Sequence, residues 1–188
     1  MTFIYLNATQ TCDPWNLDPS VISVRSIADT LSKLCRFGGR TKRFYSVAQH
    51  SVLVADLVDV VTDFENPMLS LAALMHDAAE AFLGDIVAPI KRELVMSSSY
   101  QSLSTKEAEI LKTIFNTLQI PWPSVVDWEL IHGADKTACS TEFRDLMGNP
   151  VAMRYPRPCG GTIVPLGCDS ASSLMVERFN NLSRRGAK

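Results

Sequence analysis

The chain has 188 residues, 46% of them hydrophobic and 20% charged, with a formal net charge of -2. That length fits one domain able to bury most of its apolar side chains. The near-neutral charge provides no global field for a nucleic-acid polymer or an anionic membrane. Five scattered cysteines, odd in number and lacking a C-x-x-C pair, argue against a disulfide framework or a zinc ribbon and for reduced thiols in a cytoplasm-like compartment. No signal peptide is expected, and no apolar run approaches membrane-spanning length.

From the N-terminus, the stretch to about Ser20 contains Asp13-Pro14 and Asp18-Pro19 and reads as loop, with a short strand around Phe3–Leu6. Ser26-Ile-Ala-Asp29 has the form of a capping box. Ile27, Leu31, Leu34 and Cys35 then share one helix face, and Gly38-Gly39 is expected to stop that helix. Ser46-Val-Ala-Gln49 opens a second helix, whose apolar face runs through Val47, Val54, Leu57, Val58 and Val61 and whose first turns hold His50. Asn66-Pro67 is an N-cap and N1 pair for a third helix, expected to reach Gly84 and to carry His76, Asp77 and Glu80.

Ala88-Pro89 begins a short segment, Ile90 to Val95, followed by a serine-rich loop. Ser104-Thr-Lys-Glu107 is expected to cap the next helix, with Ala108, Leu111, Phe115 and Leu118 as its inner stripe. Pro121-Trp-Pro123 separates it from a long helix, near Ser124 to Met147, bent by Gly133. A loop rich in Pro and Gly, with a brief hairpin, spans Gly148 to Gly167. A last amphipathic helix, near Ser170 to Arg184, uses Leu174, Phe179 and Leu182. The pattern is all-α, in a single helical domain with a core over about residues 24–148 and residues 149–188 packed on it.

The run from Ala72 to Asp85 says most about chemistry. It is rich in Ala and Leu and reads as buried helix, yet it carries His76, Asp77 and Glu80 before Gly84-Asp85. Burying those groups without partners would cost several kcal/mol. A divalent cation is an economical compensator, since it takes a neutral imidazole and an ionised carboxylate together. Adjacent helical residues diverge by about 100 degrees, so His76 and Asp77 need further ligands from helices across a bundle. His50 and Asp135 are the candidates, the latter beside Gly133-Ala134, small residues that allow close helix approach. Such an N,N,O,O set would hold a first-row divalent ion and leave positions open for water or a phosphate oxygen. Taken singly, each has a structural alternative: His50 as a satisfied core histidine, Asp77 as a solvent-facing acid, Asp135 as a partner of Lys136 or Arg144. His132 reads as structural, and Trp122 and Trp128 as packing residues.

The order His50, then His76-Asp77 with Glu80 and Gly84-Asp85, then Asp135 resembles the H…HD…D signature of HD-domain metal-dependent phosphohydrolases. His76-Asp-x-x-Glu80-x-x-x-Gly84-Asp85 and Pro89-x-Lys91 are similar to a subgroup of bacterial 5'-deoxynucleotidases and phage deoxynucleoside triphosphohydrolases, dATP-cleaving ones included. Arg36-Phe-Gly-Gly39 and Phe44-Tyr-Ser-Val-Ala-Gln-His50 add to that likeness, which covers roughly Ile27 to Met147. Phe37 stands where the nucleotidases commonly have Trp, and Arg40 where close relatives often have His.

The resemblance implies an HD-type helical bundle with His50, His76, Asp77 and Asp135 around one divalent transition metal (Co, Mn, Zn, Ni or Fe), and Mg with a triphosphate substrate. Glu80, one turn beyond His76 on the same helix face, would orient or deprotonate the attacking water. Asp85 would be an acid–base group near the leaving 5'-oxygen. Arg36 and Lys91 would contact sugar or phosphate and Phe37 would stack on the nucleoside. On the residues alone, Arg36 is as readily a helix C-terminal cation and Lys91 a solvated lysine beside Arg92. The implied reaction is hydrolysis of the 5'-phosphoester of a (deoxy)nucleotide, giving nucleoside plus phosphate, or plus triphosphate from a dNTP. The alternative is a non-catalytic, metal-containing nucleotide sensor, which would need neither Glu80 nor Asp85. The implied partner is a small-molecule nucleotide, with no nucleic-acid polymer and no membrane. A homo-oligomer and a cytoplasmic location (the host's, for a phage-encoded chain) complete the expectation.

Overall fold

The computed structural model describes residues 3–6, 9–87, 90–91, 98–148 and 156–187. The architecture is all-α: the described residues form seven helices and one two-stranded ribbon. In the ribbon, β1 (Ile4–Tyr5) pairs antiparallel with β2 (Thr11–Cys12). Two short 3-10 turns follow, each opened by an Asp-Pro pair whose carboxylate accepts a backbone N–H, Asp13 from Trp15 and Asp18 from Ser20.

Helix α1 (Val24–Leu31) is capped by Ser23, whose hydroxyl accepts from the Ser26 N–H at 3.0 Å. It therefore starts before the expected Ser26 box, and it ends well before Gly38-Gly39. Those glycines belong to a separate turn, Arg36–Gly39, in which Phe37 (φ 55°) and Gly38 (φ 58°) are left-handed. The chain leaves the helix because Cys35 bridges Ser46 and the Arg36 N–H donates to the Tyr45 carbonyl at 2.9 Å.

Helix α2 (Val47–Val61) occupies the centre and packs against α3 (Pro67–Leu74), α6 (Val125–Glu142) and α7 (Cys168–Gly186). Buried Ala48, Ser51 and Ala55 let those neighbours close on it. Its Val47, Val54 and Val58 are buried as expected, whereas Val61 is exposed. The expected single helix from Pro67 to Gly84 is broken: α3 ends at Leu74, the chain turns through Met75–Ala79, and α4 (Glu80–Leu83) resumes. Helix α5 (Ser98–Thr117) begins ahead of the Ser104 box, and buries Leu111 and Phe115 together with Ile110 and Ile114. Ser124 and Asp127 form a reciprocal capping box at the start of α6, which runs through Gly133 uninterrupted and passes into one π-helical turn, Phe143–Met147. The expected segment beginning at Ala88-Pro89, apart from Ile90 and Lys91, and the hairpin part of the loop over residues 149–155 lie outside the described residues. All five cysteines are free thiols.

Helix α7 is locked to the bundle by charge as well as by Met175, Phe179 and Leu182. Asp59 of α2 is fully buried, accepts from the Ser70 hydroxyl at 2.6 Å, and pairs with Arg178 and with Arg185 at 3.0 Å. Removing one partner of a buried ionic cluster leaves uncompensated charge in low dielectric. Asp59→Ala is accordingly expected to lower stability by about 3 kcal/mol, read from the midpoint of urea denaturation; a loss within experimental error would show that Asp56 alone holds Arg178.

Candidate metal centre

The Ser46 hydroxyl accepts from the Gln49 N–H at 3.2 Å and starts α2, placing His50 one turn in and facing the core. His50 is fully buried, and its Nδ1 lies 2.6 Å from Glu142 Oε1. His76 Nδ1 lies 2.7 Å from the carbonyl oxygen of Ala73. A carboxylate and a carbonyl are both acceptors, so each contact assigns a proton to Nδ1 and aims Nε2 elsewhere. Both Nε2 atoms are buried and neither has a hydrogen-bond partner.

They converge on the same point. His50 Nε2 is 3.2 Å from Asp135 Oδ1 and 3.7 Å from Asp77 Oδ2, and His76 Nε2 is 3.3 Å from Asp77 Oδ2. Donor atoms of His50, His76 and Asp135 all lie within 4.8 Å of one another, and the three could hold a metal ion. The break after α3 makes this geometry. On a continuous helix His76 and Asp77 would splay by about 100 degrees, whereas the turn over Met75–Ala79 brings both side chains to one side. Glu80 heads the separate α4 and is therefore not on the same helix face as His76.

Glu142 is the site residue that the sequence did not reveal. It lies two helical turns beyond Asp135 on α6, on the same face, and is fully buried. One carboxylate oxygen takes His50 and the other accepts from the Arg36 guanidinium at 3.1 Å. The only hint is the spacing of seven from Asp135, which any amphipathic helix can show. Arg36 also stands 3.8 Å from Asp77, so its charge is already engaged by two carboxylates. Phe37 packs on Phe143 with ring centroids 5.1 Å apart and lies against the Arg36 guanidinium, covering that pair.

The remaining expected residues cluster nearby. Glu80 is buried, with Oε1 3.6 Å from Lys91 Nζ and Oε2 without a partner. Burial, then Asp77 and Asp85, push the Glu80 carboxyl up to about 9. Burial also raises Asp85, against the pull of Arg36. Lys91 donates to Glu107 at 3.0 Å. Beside the ligands lies a cleft of about 640 Å³, lined by His76, Asp77, Asp135 and by Trp122, Trp128 and His132. Arg36, Phe37 and Lys91 do not line it.

No family model matches the chain. It is similar to the uncharacterized protein YfdR of Escherichia coli (strain K12), with 36% identity over 176 residues that span 91% of this chain and 89% of YfdR. The chain belongs to the YfdR family. It is also similar to the uncharacterized protein RCAP_rcc00048 of Rhodobacter capsulatus, 40% identical over 81 residues, which is 42% of this chain and 40% of that one.

The electrostatics of the centre set its response to pH. Burial and Arg36 push the His50 pKa down, but Glu142 and Asp135 outweigh them and hold it at about 9. Burial pushes Glu142 up, yet His50 and Arg36 hold it down at about 2. Asp135, raised by burial and lowered further by the His50 ring 3.2 Å away, ends below the usual carboxylate range. Without an ion, the contribution of His50 to stability is complete below its ordinary value of 6.5 and is lost as pH rises to about 9. An ion needs the neutral ring, so cation affinity should rise through that same window, and loading at neutral pH should release a proton. Titration calorimetry in two buffers of unlike ionisation enthalpy reads that proton directly. Glu142→Gln removes the charge that orients His50. It should weaken cation binding about 10- to 100-fold in chelator competition at alkaline pH, where a proton no longer competes.

Proposed function

We propose that this chain is a divalent-metal-dependent phosphohydrolase of the HD type, acting on the 5'-phosphoester of a small nucleotide in the cytoplasm. The observation that carries this reading is the pair of buried, unpartnered imidazole nitrogens aimed at Asp77 and Asp135. Unpaired polar atoms in such a place are costly, and two imidazoles with carboxylates suit Mn, Fe, Co, Ni or Zn. The single guanidinium of Arg36, set against Glu142, Asp77 and Asp135, leaves excess negative charge that a divalent cation would neutralise. The spacing of His50, His76-Asp77 and Asp135, with Glu80 and Gly84-Asp85, adds the nucleotidase-like character.

When bound, the ion would supply Lewis acidity toward a phosphoryl oxygen and a lowered pKa for water. The rest falls to the chain. Glu142 and the Ala73 carbonyl hold the two rings in the ligating tautomer. Glu80, with one carboxylate oxygen free, could orient the attacking water and accept its proton, because Lys91 and Arg36, joined by the charge of a bound cation, would work against its raised pKa. Lys91 holds Glu80 in place through its other oxygen. Asp85, raised by burial, is suited to deliver a proton to the leaving 5'-oxygen. Attack at the phosphorus nearest the sugar breaks the P–O5' bond. It yields nucleoside plus phosphate from a monophosphate and nucleoside plus triphosphate from a dNTP.

The reading is tested with a panel of dNMPs, NMPs and dNTPs plus Co, Mn, Zn or Mg, with products separated by chromatography. Free nucleoside together with phosphate or intact triphosphate is the expected result. Tight stoichiometric metal without any turnover would instead favour the nucleotide sensor. Asp77→Ala should lose both metal and activity. Asp85→Asn should keep metal and fold while kcat falls by roughly 100-fold or more; undiminished turnover would remove Asp85 from the reaction.

A further inference from the structure

The cleft beside the metal ligands has a wall whose chemistry differs from that of its floor. Trp128, His132 and Asp135 follow one another at helical spacing along a single face of α6. The Trp128 and His132 rings stack, with centroids 5.7 Å apart and planes 27° from parallel. Trp122 meets Trp128 edge-on at 5.4 Å, and Phe115 backs them both from the core. Trp128 is only half-buried and His132 is exposed, so this rigid surface faces the cleft. Trp128 lies about 10 Å from Asp135 along the helix axis, with His132 between them. That is the span of a nucleoside whose phosphate sits at one end and whose base sits at the other.

We infer that the Trp128–His132 wall is the stacking surface for the planar base of the substrate, with the phosphate held at the His50, His76, Asp77 and Asp135 end. The inference rests on the phosphohydrolase reading and adds the position and class of its recognition element. Two further observations fix the orientation. The wall end carries Glu129, next to Trp128 on α6, an exposed carboxylate that repels phosphate but can accept a hydrogen bond from a base bearing an exocyclic amino group. Phe37, the other aromatic candidate, is engaged with Phe143 and Arg36 away from the cleft. Stacking on an aromatic face tolerates any base, so the wall would confer nucleotide selection over plain sugar phosphates, and Glu129 would bias it toward the amino-bearing bases adenine, cytosine and guanine over thymine and uracil.

The test compares kcat/KM for dAMP with that for deoxyribose 5-phosphate, which has the same ester and no base, using the metal-loaded full chain. Trp128→Ala should cut the preference for dAMP roughly tenfold, chiefly through KM, and Trp128→Phe should restore most of it. His132→Ala, at an exposed position, should lower the preference in the same direction and guards against a folding defect in the Trp128 variant. A preference unchanged in both Trp128→Ala and His132→Ala would overturn the inference while leaving the hydrolase reading intact. Deoxyadenosine titrated against tryptophan fluorescence separates the two ideas: quenching that is lost in Trp128→Phe supports the wall even without turnover. No quenching in the unsubstituted chain overturns the wall whether or not phosphoesters are cleaved.

Discussion

A single buried carboxylate, Glu142, joins the α2 imidazole to the guanidinium that follows α1, and the centre is organised around it. A buried ion pair is weak evidence for stability, because desolvation offsets most of the Coulomb attraction, and removing one partner is costly. Its effect here is orientational. With Nδ1 of His50 committed to Glu142, the ring can present only Nε2 to the centre. With Arg36 committed to the same carboxylate, a fixed positive charge stands beside Asp77 without joining the ligands.

The second constraint is the interruption of the α3–α4 run. A regular helix would have distributed His76, Asp77 and Glu80 around its circumference. The turn over Met75–Ala79 instead turns both members of the doublet toward His50 and leaves Glu80 at the head of a short helix, with its backbone N–H accepted by the Asp77 carbonyl at 3.0 Å. The segment remains buried through Ala78, Ala79 and Ala81, small side chains that let α4 lie against α1. Broken secondary structure at this point puts the ligands within reach of one another; the surrounding alanines make that break compatible with a packed core.

Charge is partitioned across the bundle. Asp59, Arg178 and Arg185 tie the C-terminal helix to α2 on the side away from the imidazoles, and Lys91 joins Glu80 to Glu107 on α5. The cations that sequence reasoning assigned to phosphate are therefore engaged with carboxylates, and the open space beside the ligands is walled by aromatic rings. That face offers flat aromatic surface at one end and the cluster of His50, His76 and Asp135 donor atoms at the other.

Much of the fold was legible locally. Ser46, Asn66-Pro67 and Ser124 with Asp127 mark helix starts because a side-chain oxygen satisfies backbone donors within three residues. The His76-Asp77 doublet stood out because polar groups in an Ala- and Leu-rich run require compensation. The same run concealed its own break: it has neither Gly nor Pro before Gly84, and Ala is the best helix former. Glu142 was invisible for a different reason, since an acid on a long helix is ordinary until a buried histidine and arginine arrive from elements 92 and 106 residues away. Trp128 and His132 looked like packing residues because periodicity reports which side of a helix faces inward, not whether that side meets core or cleft. The sequence by itself determined an all-α chain and the residue types able to hold a cation. Only the tertiary structure decided which ring nitrogens are left without partners, which charges neutralise one another and which aromatic face is open, because each depends on packing between segments distant along the chain.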